Sequence, residues 1–276
     1  MTGSRRDGAS PAGCVPGDYH VHTTFSDGDG SVAECIEHAI AVGLLEIGIA
    51  DHFSAVQPTT WDSASIPFAQ LDRYVKEVRD VAARYDEIAV LLGVEADYVP
   101  EHEAELRAAL SALPLDFVIG GVHVVDGFEF DDPASRHDPR WSAPDALFAA
   151  YYDKVLRAAE SGCFDVIAHL DWIGLWGHSP GPAVADMIDA ALDAIAASGG
   201  AIELNTDRIS DPAGVMYPSV DILQRARSRD IKLVISSDAH SAEHVGRLWD
   251  EGVATAREAG YREWLRLSDR TLVPLP

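Results

Sequence analysis

Near the N-terminus, Asp18-Tyr19-His20-Val21-His22 runs into the polar stretch Thr23-Thr24-Phe25-Ser26-Asp27-Gly28. Side chains two apart on a strand share a face, so His20 and His22 point the same way, with Cα atoms roughly 6.6 Å apart. Two imidazoles so placed can close on one cation at about 2.0–2.1 Å. Surface strands carry such pairs by chance, so a metal site requires further ligands at the ends of other strands. They are present: His52, Glu95, His123, His169 and the pair Asp238 and His240 each follow a short apolar run. For any one of these histidines, a hydrogen-bonded buried imidazole is the ordinary expectation. Their shared position at strand ends points to metal instead. Imidazole and carboxylate without thiolate suit Zn²⁺, Mn²⁺ or Fe²⁺, and more than four candidate ligands imply more than one ion.

The elements that must position these residues alternate. A strand at Asp18 gives way at Ser31-Val32-Ala33-Glu34, a capping-box pattern, to a helix ending at Gly43. Further strands are expected at Leu45–Ala50, Ile88–Val94, Asp116–Val122, Phe164–Ala168, Ala201–Asn205 and Leu233–Ser237. Helices are expected at Phe68–Tyr85, Glu101–Leu113, Pro182–Ser198, Pro218–Arg229 and His244–Ala259, with another capped by Ser142-Ala143-Pro144-Asp145 and running to Ser161. The tail from Trp264 to Pro276 reads as a strand or extended segment. Seven strands alternating with helices imply a parallel α/β sheet, and a closed (β/α)7 barrel gathers every strand C-terminus on one rim. An open doubly wound sheet would spread those ends along a line.

At 276 residues and 47% hydrophobic content the chain suits one enzyme-sized domain, residues 18–276, behind a flexible tail of residues 1–17 rich in Gly, Ser, Pro and Ala. A formal charge of −24 argues against nucleic acid or an anionic membrane as partner. Cys14, Cys35 and Cys163 are widely spaced, which indicates neither a disulfide framework nor a thiolate zinc site and fits a cytoplasmic setting. No apolar run is long enough for a membrane span. Nothing in the pattern specifies an oligomer.

In their order along the chain, His20-x-His22, Asp51-His52, Glu95, His123, His169 and Asp238-Ala239-His240 resemble the PHP (polymerase and histidinol phosphatase) superfamily, from about Asp18 to Gly246. Closer features look like its histidinol-phosphatase branch: Val118-Ile119-Gly120-Gly121-Val122-His123, Asp126-Gly127-Phe128-Glu129-Phe130-Asp131, Ala168-His169-Leu170-Asp171, Glu203-Leu204-Asn205-Thr206 and Tyr217-Pro218-Ser219. The resemblance implies a distorted seven-stranded TIM-like barrel with a two- or three-metal site. It also implies the grouping of ligands: His20, His22, Glu95 and Asp238 on one ion, Glu95, His123 and His169 on a second, Asp27, His52 and His240 on a third. Two features depart from that branch. Ser26-Asp27-Gly28 stands where a histidine is usual and is the form seen in PHP nucleotide phosphatases and exonucleases. No basic residue follows the His-x-Asp of the fifth strand, since Trp172-Ile173-Gly174-Leu175-Trp176 holds none.

The expected activity is metal-dependent hydrolysis of a small organic phosphate, with L-histidinol phosphate the leading substrate. Paired divalent ions lower the pKa of a shared water, polarise a phosphoryl oxygen and stabilise the leaving oxygen. Asp238 or Asp171 could orient that water or shuttle a proton, although a bare Asp is more often a ligand or helix cap. Arg208 is the candidate phosphate clamp; its ordinary alternative is a surface pair with Asp207 or Asp211. Trp61, Trp141, Trp172 and Trp176 could form an aromatic wall for an imidazole or base. The alternatives are a PHP nucleotide phosphatase or 5′-3′ exonuclease, favoured by Asp27 and opposed by the charge, and a non-catalytic metal-binding regulatory module, opposed by the complete ligand set.

Overall fold

The computed structural model describes residues 17–56, 64–207 and 214–276. The expected N-terminal tail before Gly17, Trp61 and Arg208 lie outside them.

Strand β1 (Gly17–Val21) pairs in parallel with β2 (Glu46–Ile49), which pairs with β4 (Ala89–Leu92). Between them in the chain lies the two-residue strand β3 (His52–Phe53). β2 and β4 both stop and resume beyond a short break, as β3 and as β5 (Glu95–Asp97), with register unchanged: Ile49 faces Leu92, and His52 faces Glu95. The runs read as single strands at 45–50 and 88–94 are therefore two bent strands. From β5 the ladder passes to β6 (Ile119–Gly121), whose chain turns through the antiparallel hairpin β7 (Val124–Val125) and β8 (Phe128–Glu129). It continues through β9 (Val166–Ile167), β10 (Ala201–Asn205) and β11 (Lys232–Ser236).

The ring closes between β11 and β1 through one parallel bridge, Val21 to Ala239. His22 N donates to Ala239 O at 2.8 Å and Ala239 N to His20 O at 3.1 Å. Below the bridge a side chain joins the strands: the buried Asp18 carboxylate accepts from Ser237 N (2.9 Å), Ser237 Oγ (2.5 Å) and Gly246 N (2.7 Å). The architecture is the expected seven-position α/β barrel, distorted into a three-stranded and a six-stranded sheet.

Helices α1 (Val32–Val42), α2 (Leu71–Ala82), α3 (Glu103–Ala112), α4 (Pro144–Ser161), α5 (Ala185–Ser198), α6 (Val220–Arg227) and α7 (Trp249–Glu258) are the α-helices among the described residues. α1 has both bonds of the Ser31–Glu34 capping box. α4 begins without one: Ser142 closes a preceding 3₁₀ turn, and Pro144 opens the helix, where its missing N–H costs nothing. The C-terminal tail is a hairpin, β12 (Glu263–Arg266) and β13 (Thr271–Pro274), whose buried Trp264 stacks on Tyr19 of β1 with ring centroids 5.8 Å apart.

The break after β4 and the paired Gly48 of β2 lie against the buried ring of Phe117. A Cβ on Gly93 would meet Phe117 Cζ at 2.4 Å, and one on Gly48 would meet it at 2.7 Å. Gly93→Ala is accordingly expected to cost about 1–3 kcal/mol, the usual scale of overpacking, read as a lower denaturant midpoint at constant slope. A midpoint equal to that of the parent would show that Phe117 moves aside freely.

Candidate metal centre

His20 is the fourth residue of β1 and His22 the first beyond it; both are fully buried, with ring centroids 4.9 Å apart. Glu95, the first residue of β5, lies among the imidazoles. Its Oε2 is 2.7 Å from His52 Nδ1, 3.2 Å from His20 Nε2 and 3.8 Å from His22 Nε2. Its Oε1 is 3.1 Å from His169 Nε2 and 3.5 Å from His123 Nε2. One carboxylate thus faces five imidazoles from four different strand ends or their adjoining loops. Asp238 Oδ1 approaches His22 Nε2 at 3.1 Å and His20 Nε2 at 3.5 Å, and Asn205 Nδ2 donates to its other oxygen at 2.9 Å. Asp27 Oδ1 lies 3.4 Å from His240 Nε2 and 3.8 Å from His52 Nε2.

Three overlapping groups have ligand atoms close enough to share an ion: His20, His22 and Glu95; His52, Glu95 and His123; His22, Asp27, His52 and His240. The grouping implied by family resemblance is thereby loosened. His22 and His52 each belong to two groups, because the His22 ring lies 4.2 Å from both His52 and His240. His169 reaches the cluster through Glu95. The cluster is sealed at its Glu95 end and open at the other, where Asp27 is exposed and His240 half-buried.

The donor set fits divalent cations. His20 Nδ1 lies 2.7 Å from Glu203 Oε1, and His123 Nδ1 lies 2.6 Å from Asp97 Oδ1. A carboxylate accepts, so each ring's proton sits on Nδ1 and its Nε2 lone pair faces Glu95; this is the orientation that outer carboxylates impose on ligating histidines. His20 Nε2 and His22 Nδ1 are buried atoms with no hydrogen-bond partner. Lone pairs converging at such distances repel unless positive charge lies among them. The titration behaviour agrees. Burial, then His240 and His52, push His22 down to about 3, leaving it a neutral donor. Burial opposes the ionised form of Glu95, yet His20, His52 and His123 hold its acid well below the usual range. For His123, burial is outweighed by Glu95 and Asp97, and the ring is raised to about 10. The carboxylates demand cations, which metal supplies in place of protons.

Two residues at the centre have strained backbones. Asp238 has φ of 51° and His169 φ of 24°, in the left-handed region that residues with a Cβ seldom occupy.

The other candidates divide between the centre and its surroundings. Asp171 Oδ2 accepts from Ser219 N at 2.9 Å, just before α6, while its Oδ1 is buried without a hydrogen-bond partner. Trp172 leans on His169 at 5.4 Å and meets Tyr217 edge-on at 5.0 Å, forming one wall of the centre. Trp141 stacks instead on His178, and Trp176 donates to Phe130 O.

Residues 18–207 match the family model described as PHP domain. The chain belongs to the PHP domain family. It is 32% identical over 249 residues to a probable histidinol-phosphatase of Deinococcus radiodurans, a match covering 89% of this chain and 94% of that one. It is 24% identical over 258 residues to a histidinol-phosphatase of Bacillus subtilis, covering 84% of this chain and 96% of that one. The fold superposes with a TM-score of 0.78 on histidinol phosphate phosphatase from Lactococcus lactis, crystallised with zinc, L-histidinol and phosphate. That match is 22% identical and covers 93% of this chain and 98% of the other.

Several residues that build this PHP domain site carry no role in the sequence reading. Asp97 and Glu203 orient His123 and His20, and Glu203 Oε2 also accepts from His169 N at 3.2 Å. Buried Asp51 accepts from Thr23 N, Thr23 Oγ1, Ser26 N and Ser26 Oγ, clamping the loop that carries Asp27. Gly121 leaves necessary space: a Cβ there would stand 2.5 Å from His123 Cε1 and 2.7 Å from Glu95 Oε1. Period-two pairing was the available signal, because Glu95 and Asp97 share one strand face, as do Glu203 and Asn205. Glu203→Gln keeps the shape but removes the charge behind His20. It is expected to weaken metal binding about 10–100-fold, measured by competition with a chromogenic chelator. Unaltered affinity would reduce Glu203 to a packing role.

Proposed function

We propose that this chain is a metal-dependent phosphomonoesterase whose substrate is L-histidinol phosphate, released as L-histidinol and inorganic phosphate. The observation that carries the reading is Glu95, a buried carboxylate shared by three-strand and six-strand halves of the barrel and faced by five imidazoles. Family membership and relatives named histidinol-phosphatase supply the substrate.

In this reading His20, His22, Glu95, His52, His123, His169, Asp238, Asp27 and His240 hold two or three ions of Zn²⁺, Mn²⁺ or Fe²⁺. Bound ions supply an acidic water and polarise the phosphoryl oxygens. The chain's own residues do the rest. Asp97 and Glu203 fix the imidazole tautomers, and Asp51 holds the Asp27 loop against β2. Asp238 lies beside His20 and His22 and is placed to orient an attacking water; Asn205 fixes its outer oxygen. Arg208 is retained as the candidate phosphate clamp because it follows Asn205-Thr206-Asp207 at the end of β10. Asp171, whose Oδ1 is buried without a partner, is retained as the second candidate to orient the water.

The test is phosphate release from L-histidinol phosphate, from nucleoside 3′,5′-bisphosphates and from single-stranded oligonucleotides, using metal-stripped protein reloaded with Zn²⁺ or Mn²⁺. Preference for histidinol phosphate is expected. Preference for the nucleotides would make Asp27 the better guide to substrate, and inactivity on all three would overturn the phosphatase reading.

A further inference from the structure

We infer that Arg247 is a positioning residue for the metal centre: through Asp207 and Asn205 it fixes the outer oxygen of Asp238 and so sets how firmly that carboxylate holds an ion. The inference rests on the reading above in which Asp238 is a ligand, and it extends that site to a cation standing outside the cluster.

Glu203 and Asn205 share one face of β10, and Asp207 follows two residues on; all three are buried. Asn205 Nδ2 donates to Asp238 Oδ2 at 2.9 Å and to Glu203 Oε2 at 3.3 Å. The amide faces this way because its own oxygen accepts from Asp207 N at 2.8 Å. Turned the other way, it would set that oxygen against two carboxylates. The placing of Asp207 therefore decides which end of Asn205 meets Asp238.

Asp207 is held in turn by Arg247. Its Oδ1 pairs with Arg247 Nη2, and both side chains are buried. The backbone of Arg247 is pinned as well: its N–H donates to His244 O at 3.0 Å, and its carbonyl accepts from Thr206 Oγ1 at 2.8 Å. The preceding residue, Gly246, donates to Asp18 of β1 at 2.7 Å. The cation thus stands at the seam where the barrel closes.

Stability alone is a poor reason for a cation there. Arg247 Nε and Nη1 are buried without a hydrogen-bond partner, and burial works against the guanidinium charge while Asp18 supports it. An apolar side chain of similar length would fill the space without those unspent donors, and buried ion pairs replaced in this way commonly lose no stability. What an apolar side chain cannot do is neutralise Asp207. A buried carboxylate left without its cation moves toward water, takes its N–H away from Asn205 and frees that amide to turn from Asp238.

The test measures Zn²⁺ affinity of the full chain by competition with a chromogenic chelator, beside kcat and KM for phosphate release from L-histidinol phosphate. Arg247→Met is expected to weaken Zn²⁺ binding about tenfold and to lower kcat with KM little changed, the low end of what partners behind a ligand contribute. Asp207→Asn is expected to do the same, and the double variant to be no worse than either, because the two residues act as one unit. If Arg247→Met is recovered unfolded, Asp207→Asn carries the affinity test, and parental affinity in it overturns the inference. So does an Arg247→Met protein that melts earlier yet binds Zn²⁺ and turns over like the parent, or a double variant in which the two losses add. Absence of phosphate release by every form, the parent included, overturns the phosphatase reading and leaves the affinity comparison to decide the role of Arg247.

Discussion

Glu95→Gln is expected to lower kcat on the order of a thousandfold and to reduce the metal content of the purified protein. Removing one electrostatic stabiliser of a transition state typically costs a hundred- to a thousandfold, and Glu95 serves more than one ligand group. Glutamine has the same shape but presents an amide donor to imidazole lone pairs and no net charge to a cation. Five imidazoles then share a site without its central anion. Steady-state phosphate release, read beside metal content by emission spectroscopy, checks both halves of the expectation. A variant with full metal content and parental turnover would place the chemistry away from this cluster.

Chelation is expected to lower Tm by roughly 10 °C for each tightly held ion, reversibly. An ion present at a thousandfold over its Kd stabilises the folded state by about 4 kcal/mol, and for a chain of this size each kcal/mol shifts Tm by roughly 2–4 °C. The linkage has this sign because the ligands come from strand ends spread from His20 to His240 and converge only in the folded chain. Differential scanning calorimetry before and after chelator, with Zn²⁺ added back, gives the answer. A Tm indifferent to chelator would mean that the imidazoles and carboxylates balance one another without metal.

The clustering of the candidate ligands was legible because they fall at the ends of apolar runs, and a parallel barrel has only one rim on which such ends can meet. The capping box of α1 was legible for a similar reason, being a local pattern with a local cause. The partition of ligands among ions was not. It depends on which rings stack across the barrel mouth, and a one-dimensional pattern gives no sign that His22 would lie equally near His52 and His240. The break in β2 and β4 was equally hidden, since Leu45–Ala50 and Ile88–Val94 look continuous and the Phe117 ring against Gly48 and Gly93 comes from a distant run. The bond from Ser219 N to one oxygen of Asp171 was likewise hidden, since its partner lies 48 residues further on.

The closure of the ring by β1 and β11 also sets the order in which this protein can become whole. Asp18 meets Ser237 across 219 residues and Gly246 across 228, and His22 cannot find Asp238 until β11 exists. Contacts of such sequence separation form late, after the loop-closure entropy of nearly the entire chain has been overcome. During synthesis the first histidine pair leaves the ribosome early and waits for partners encoded at the far end. A nascent chain can therefore offer passing metal only a partial grip, and the complete centre appears only when the last barrel strand arrives.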